Sequence, residues 1–262
     1  MSKTILITGS TDGIGLLTAK TLKAAGHTVL LHGRSQTKLE AAAAELGGDG
    51  QTYLADLSDM KDVRALAQSI LADHQNLDVL INNAGIYKTP NPMVNGHDVR
   101  FLVNTLAPLL LTRLLLPIIP EGGRVINLSS AAQAEIDPAA IAGTRTVGDF
   151  EAYAQSKLAL IVWTQALAHK HPNGPVFVAV NPGSLLASKM VKEGFGVAGN
   201  DLNIGSDILC AAATDPAFAT ASGKYFDNDA GRFAPPHASI QDGAKSRAIL
   251  QQIDATLADL AG

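Results

Sequence analysis

The sequence predicts a single doubly wound α/β domain, with a parallel sheet of about seven strands and helices on both faces. Three observations lead there. Strand-like and helix-like stretches alternate strictly, as βαβ units with right-handed crossovers do. The strand-like stretches are apolar on both faces, as in a sheet covered on both sides. The first of them, in KTILITGSTDGIG at residues 3–15, runs directly into a glycine-rich turn and a helix. A chain of 262 residues, 47% hydrophobic and 17% charged, can bury a large core of this kind.

Taken in order, Thr4-Ile5-Leu6-Ile7 is a short, partly β-branched strand, and Gly9, Gly13 and Gly15 follow it before a helix from Leu16. Glycines let the backbone approach phosphate oxygens, and the free N–H groups and dipole of the helix start favour their charge. The loop Gly9-Ser10-Thr11-Asp12-Gly13-Ile14-Gly15 is therefore a candidate pyrophosphate site, although its Gly-x-x-x-Gly-x-Gly spacing is not the better-known Gly-x-Gly-x-x-Gly. Residues 28–32 form a second strand, closed by Gly33-Arg34-Ser35, and an alanine-rich helix covers 36–46. A strand over 52–57 and a helix over 60–74 come next, then a strand over 77–82 that ends in Asn83-Ala84-Gly85. A long helix is expected over 96–116, a strand over 123–130, a helix over 150–170 and a strand over 176–183. After a glycine-containing loop over 184–205, helices are expected over 201–215 and 242–260, with a short strand at Lys224-Tyr225-Phe226. No linker or repeat divides residues 1–262. A cofactor half, about 1–130, and a catalytic and substrate half, about 130–262, belong to one domain.

In open α/β sheets a ligand lies beyond the carboxyl ends of the strands, and those ends carry Gly9, Arg34, Asp56, Asn83, Ser130 and Pro182. A net charge of −4 argues against a nucleic-acid partner. The single cysteine, Cys210, permits no internal disulfide and no cysteine-based zinc site, which fits a cytoplasmic protein. His169 and His171 fall at a helix C-terminus with no third ligand nearby, so no metal site is expected. Strand character from residue 3 leaves no room for a signal peptide or N-terminal anchor. The apolar run 106–119 contains Arg113 and two prolines and is too short to span a bilayer.

Tyr153 and Lys157 lie four apart on an expected helix and so share one face. An ammonium group beside a phenol stabilises the phenolate and makes a general acid/base at neutral pH plausible. The chain presents, in order, Thr8-Gly9-x-x-x-Gly13-Ile14-Gly15, Asn82-Asn83-Ala84-Gly85, Asn104, Ser129-Ser130, Tyr153-x-x-x-Lys157 and Asn181-Pro182-Gly183. This series resembles the short-chain dehydrogenase/reductase family over almost the whole chain. The longer spacer between Ser130 and Tyr153 looks most like its retinol-dehydrogenase-like branch.

The resemblance implies a Rossmann-type domain and an oxidoreductase that interconverts a carbonyl and an alcohol. Tyr153 would exchange a proton with the substrate oxygen, and Lys157 would hold the nicotinamide ribose and lower the pKa of Tyr153. Ser130 would hydrogen-bond the substrate, Ser129 would be structural, and Asn104 would support a proton relay behind the lysine. Asp56 and Leu57 would flank the adenine, Asn83, Ala84 and Gly85 the adenosine, and Pro182 and Gly183 the nicotinamide. No acid ends the second strand, and Arg34 with Ser35 instead suits a 2′-phosphate, so NADP(H) is favoured over NAD(H). Leu185, Leu186, Met190, Val191 and Phe195 would border an apolar substrate pocket, and Ser188 stands at an offset from the family's usual threonine. Surplus apolar residues on the two long helices (Leu109, Leu110, Leu160, Ile161 and Trp163) point to a homodimer or homotetramer. The rival reading is a non-catalytic dinucleotide-binding sensor on the same fold.

Overall fold

A computed structural model describes residues 1–48, 50–187, 196 and 198–260. β1 (Thr4–Ile7) enters α1 (Gly13–Ala24), and β2 (Thr28–Gly33), α2 (Gln36–Glu45), β3 (Thr52–Leu54), α3 (Met60–Asp73) and β4 (Val79–Asn82) follow. A two-stranded hairpin, β5 (Met93–Val94) and β6 (His97–Asp98), leads into α4 (Val99–Phe101), a π-helical turn (Leu102–Leu106) and α5 (Ala107–Leu115). The chain continues through β7 (Arg124–Leu128), α6 (Pro138–Ile141), α7 (Asp149–Lys170), β8 (Val176–Asn181) and α8 (Leu202–Thr214). It ends with β9 (Tyr225–Asp227), β10 (Arg232–Ala234) and α9 (Gly243–Asp259).

The main sheet has the order β10-β9-β8-β7-β4-β1-β2-β3. All its pairings are parallel except β10 with β9. The strand order reverses between β1 and β4, and there the carboxyl ends open into a crevice. Ile5, Ile7, Val79, Ile81, Ile126 and Val178 face α1, α2 and α8, whereas Leu6, Leu30, Leu80, Val125 and Phe177 face α3, α5 and α7. This is the two-sided burial that the apolar strands require.

Several helix starts share a local cause. The side chains of Asp12, Asp59, Asp98, Asp137, Asp201 and Asp242 each accept a backbone N–H of the helical turn they precede, satisfying donors that have no partner within the helix.

The structure departs from the sequence reading at three elements. The helix expected from residue 96 starts at Val99, because Asn95 and Gly96 both take positive φ, 50° and 82°, and close the β5–β6 hairpin. Positive φ at both central residues is the geometry of an Asn-Gly hairpin turn. The third strand ends at Leu54, which releases Ala55, Asp56 and Leu57 to the crevice. An eighth strand, β10, adds an antiparallel edge to the expected sheet.

The apolar stretch Val99–Ile118, at 20 residues, is longer than the run read from sequence; its most apolar 18-residue window has mean hydropathy 1.7, and 67% of that window is buried inside the fold. Burial also revises the argument for self-association. Leu109, Leu110, Leu160, Ile161 and Trp163 are all buried within the protomer. The central part of α7, from Ala154 to Thr164, is covered on every side, as a helix apolar all round should be. Part of that cover is α9, which contributes Ile249, Ile253 and Leu257 to the same core and is tied to α5 by Arg113–Asp254 at 2.7 Å.

Candidate active site

A cleft of about 650 Å³ lies at the switch point, lined by the β1–α1 loop, the ends of β2 and β4, and the faces of Tyr153 and Lys157. Its floor is backbone. Gly9 (φ +64°) brings its Cα so near the neighbouring loop that a Cβ would lie 2.9 Å from the Ala84 Cα. A Cβ on Gly15 would collide with the Gly9 carbonyl and the Asn83 amide. Asn83 braces this arrangement by donating to the carbonyls of Thr8 (2.9 Å) and Gly9 (3.0 Å), and the Ala84 N–H donates to Thr8 Oγ1 (3.0 Å). In the first turn of α1, Gly13 N–H is held by Asp12 at 2.8 Å, while the N–H groups of Ile14 and Gly15 precede the first intrahelical donor, Leu16 N–H, which bonds the Asp12 carbonyl at 3.2 Å. Their N–H groups and the dipole suit an anion lying across the cradle, so the residues present fit a dinucleotide pyrophosphate.

Thr11, Asp12, Gly13, Ile14, Arg34, Asp56, Leu57, Ala84, Gly85 and Pro182 line this cleft, as do Gly9, Gly15 and Asn83. Ser10 is turned away: it is buried, and its hydroxyl accepts from His32 N–H (2.9 Å) within the sheet. The Asp56 side chain accepts from Ser58 N–H and Oγ at 2.9 and 2.8 Å. Gly183 (φ +120°) sits behind Pro182, with its N–H on Asn181 Oδ1 at 3.2 Å. Ser35 caps α2 in position only. Its side chain makes no capping bond, so its hydroxyl and the α2 N-terminus lie beside Arg34.

Lys38 and His32 are among the cleft residues that the sequence reading of the cofactor side did not assign. Lys38, one helical turn beyond Arg34, lines the same end, with Nζ 3.5 Å from Asp12 Oδ2. His32 accepts the Gly9 N–H at 3.1 Å, and burial lowers its pKa to about 4, so it is a neutral brace under the loop.

On the catalytic side, α7 carries Tyr153 and Lys157 on one face. Lys157 is buried, donates to the Leu128 carbonyl at the end of β7 (2.7 Å), and has its Nζ 5.8 Å from the Tyr153 ring centroid. Burial lowers its pKa to about 8. Ser129 lines the cleft, and its hydroxyl donates to the Lys157 carbonyl at 3.0 Å. Ser130 hydrogen-bonds the Tyr153 phenol, and its own hydroxyl also accepts from Ala132 N–H at 3.1 Å. Asn104 lies in the π-helical turn, where Oδ1 accepts from Ile86 N–H (2.8 Å) and Nδ2 donates to Ile86 O and Ser156 Oγ (both 3.0 Å). Such turns recur where a helix must present a functional group. A Cβ on Gly85 would lie 3.3 Å from Lys157 Nζ and 3.4 Å from Asn104 Oδ1, so glycine leaves the two groups flanking one space.

The expected lowering of the Tyr153 pKa is not produced by the protein's own groups. Burial raises it, the Ser130 hydrogen bond opposes that rise, and the nearby Tyr87 phenol adds to it. Tyr87, two residues beyond Gly85, packs edge-on against Tyr153 with centroids 5.2 Å apart at 62°, and with Val99 and Val103 it forms the wall beyond the tyrosine. Leu185, expected at the substrate side, is 46% exposed, and Leu186 is buried. Ser188, Met190, Val191 and Phe195 lie outside the described residues.

Comparison with known proteins gives a consistent setting. Residues 3–195 match the family described as short chain dehydrogenase. Retinol dehydrogenase 13 of Homo sapiens is 32% identical, over 93% of this chain and 81% of that protein. The crystal structure of an uncharacterized protein from Mycobacterium Paratuberculosis superposes with a TM-score of 0.81 at 27% identity, covering 97% of this chain and 93% of the other. A short chain dehydrogenase from Shigella flexneri complexed with NADP gives a TM-score of 0.69 at 26% identity, covering 87% and 97% of the two chains.

Proposed function

We propose, from the premise that this chain belongs to the short-chain dehydrogenase/reductase family and is an oxidoreductase of its retinol-dehydrogenase-like branch, that it is an NADP(H)-dependent enzyme interconverting a small or medium carbonyl and its alcohol. The observation that carries this reading is that Tyr153 and Lys157 line the cleft that the glycine cradle opens, with Ser130 hydrogen-bonded to the Tyr153 phenol behind that lining. The cofactor supplies or accepts the hydride when bound. Tyr153 passes the proton to or from the substrate oxygen, and Ser130 holds that oxygen through a second hydrogen bond. Lys157 holds the ribose side, with Asn104 behind it fixing the loop of Gly85 and Ile86. Burial raises the Tyr153 pKa, so the phenol carries the proton that it would give to a carbonyl oxygen.

The preference for NADP(H) over NAD(H) rests on charge. Arg34 and Lys38 bracket the cleft end beside the open N-terminus of α2, and Gly33 occupies the strand end where a ribose-binding acid would repel a 2′-phosphate. The complex of the Shigella flexneri relative with NADP supports the same choice. Titrating the protein with NADPH and NADH, followed by cofactor fluorescence, tests it. NADPH should bind at least about tenfold tighter. Equal or reversed affinities would remove the 2′-phosphate assignment, and binding of neither would remove the enzyme reading.

A further inference from the structure

Arg100 is 2% exposed, and a cation so far from water needs compensating partners. Asp98 supplies them in fork geometry, with Nε to Oδ1 at 2.8 Å and Nη2 to Oδ2 at 2.6 Å. The charge is thereby matched within the hairpin strand β6. Yet a second carboxylate, Asp149, also reaches the guanidinium, accepting from Nη1 at 2.5 Å although its own side chain is 52% exposed. Asp149 opens α7, whose N-cap is Gly148 and offers no side-chain bond, so this ion pair rather than a side-chain cap ties down the helix start. It also lies four residues before Tyr153, on the same helical face. On the other side, Nη1 approaches the Tyr87 carbonyl at 3.5 Å, on the loop whose aromatic ring packs against Tyr153.

We propose that Arg100 is a positioning residue: through Asp149 and the Tyr87 carbonyl it fixes the start of α7 and the facing loop, and so sets Tyr153 against Tyr87. This rests on the reading of Tyr153 as the proton donor. Small displacements of a reacting group are costly for rate and nearly neutral for binding elsewhere in the site. The full chain carrying Asp149→Asn should therefore lose about tenfold in kcat for carbonyl reduction while its NADPH Kd stays within about twofold of wild type. Asp149→Glu should recover most of that loss. Amide hydrogen exchange over residues 149–157 should quicken in the Asn variant and return in the Glu variant. A lower Tm with unchanged kcat and unchanged exchange over that segment would overturn the proposal. If the wild-type protein reduces no carbonyl with either cofactor, the functional reading fails, and the exchange measurement alone still decides whether Arg100 holds α7.

Discussion

The Lys157 ammonium donates a 2.7 Å hydrogen bond to the Leu128 carbonyl, so the catalytic helix is tied directly to the end of β7 at the crevice. The contact places a buried cation on the sheet edge, and it gives Lys157 a titration that can be read. Its pKa falls from 10.5 to about 8 because burial disfavours the charged form. Between those values the unfolded chain binds the extra proton, so this group's contribution to stability rises with pH, and the burial penalty is felt in full below about 8. The stability of wild type relative to Lys157→Met, from urea midpoints, should thus increase by up to roughly 3 kcal/mol from pH 7.5 to pH 10.5. A difference that stays flat with pH would show that the lysine is not depressed.

Tyr153→Phe removes the proton donor and keeps the ring that packs on Tyr87. Turnover should fall by about 10²-fold or more, with NADPH affinity little changed. Steady-state rates beside a fluorescence titration check this. Retained turnover would point to another acid, whereas NADPH binding with no turnover in the wild-type protein would point to the non-catalytic sensor reading.

Arg34→Ala should weaken NADPH binding by about 10- to 100-fold and leave NADH binding nearly unaltered, since a charge-assisted bond to phosphate contributes about 1.5–3 kcal/mol. Lys38→Ala should cost less, because Asp12 already engages that ammonium at 3.5 Å. Competitive titration of both cofactors against both variants separates the two cations.

Gly85→Ala inserts a methyl group at 3.3 Å from Lys157 Nζ and 3.4 Å from Asn104 Oδ1. The neighbours must give by a few tenths of an ångström. Activity should fall by about tenfold while thermal stability shifts by only about 1 kcal/mol, since the crowded atoms are functional and not core. Unchanged kcat would mean that the Lys157–Asn104 space has slack.

Light scattering on the purified protein should give the mass of one chain, 27.2 kDa. The reason is that α9 and the sheet cover α7 within the protomer, leaving its central residues no free apolar face. A dimer mass would place the contact elsewhere on the surface.

Much of this was legible from residues alone. The βαβ order, the glycine cradle, and Tyr153 with Lys157 on one helical face follow from local rules: short apolar runs for buried strands, helical stretches between them, glycine turns at strand ends, and four-residue spacing. The Asp N-caps and the Asn95-Gly96 hairpin obeyed equally local rules and went unread, which cost the true start of the helix at Val99.

The sequence by itself determined the fold class, the family and which residues end at the strands' carboxyl edge, because those depend on spacing along the chain. Only the tertiary structure decided where the surplus leucines go, that Ser10 serves β2 and that Lys38 joins Arg34. It alone also decided that burial holds the Tyr153 proton in place. Each of these depends on groups distant in sequence whose burial and mutual distance arise only when the sheet and its helices close together. Desolvation and crowding have no counterpart in a linear pattern.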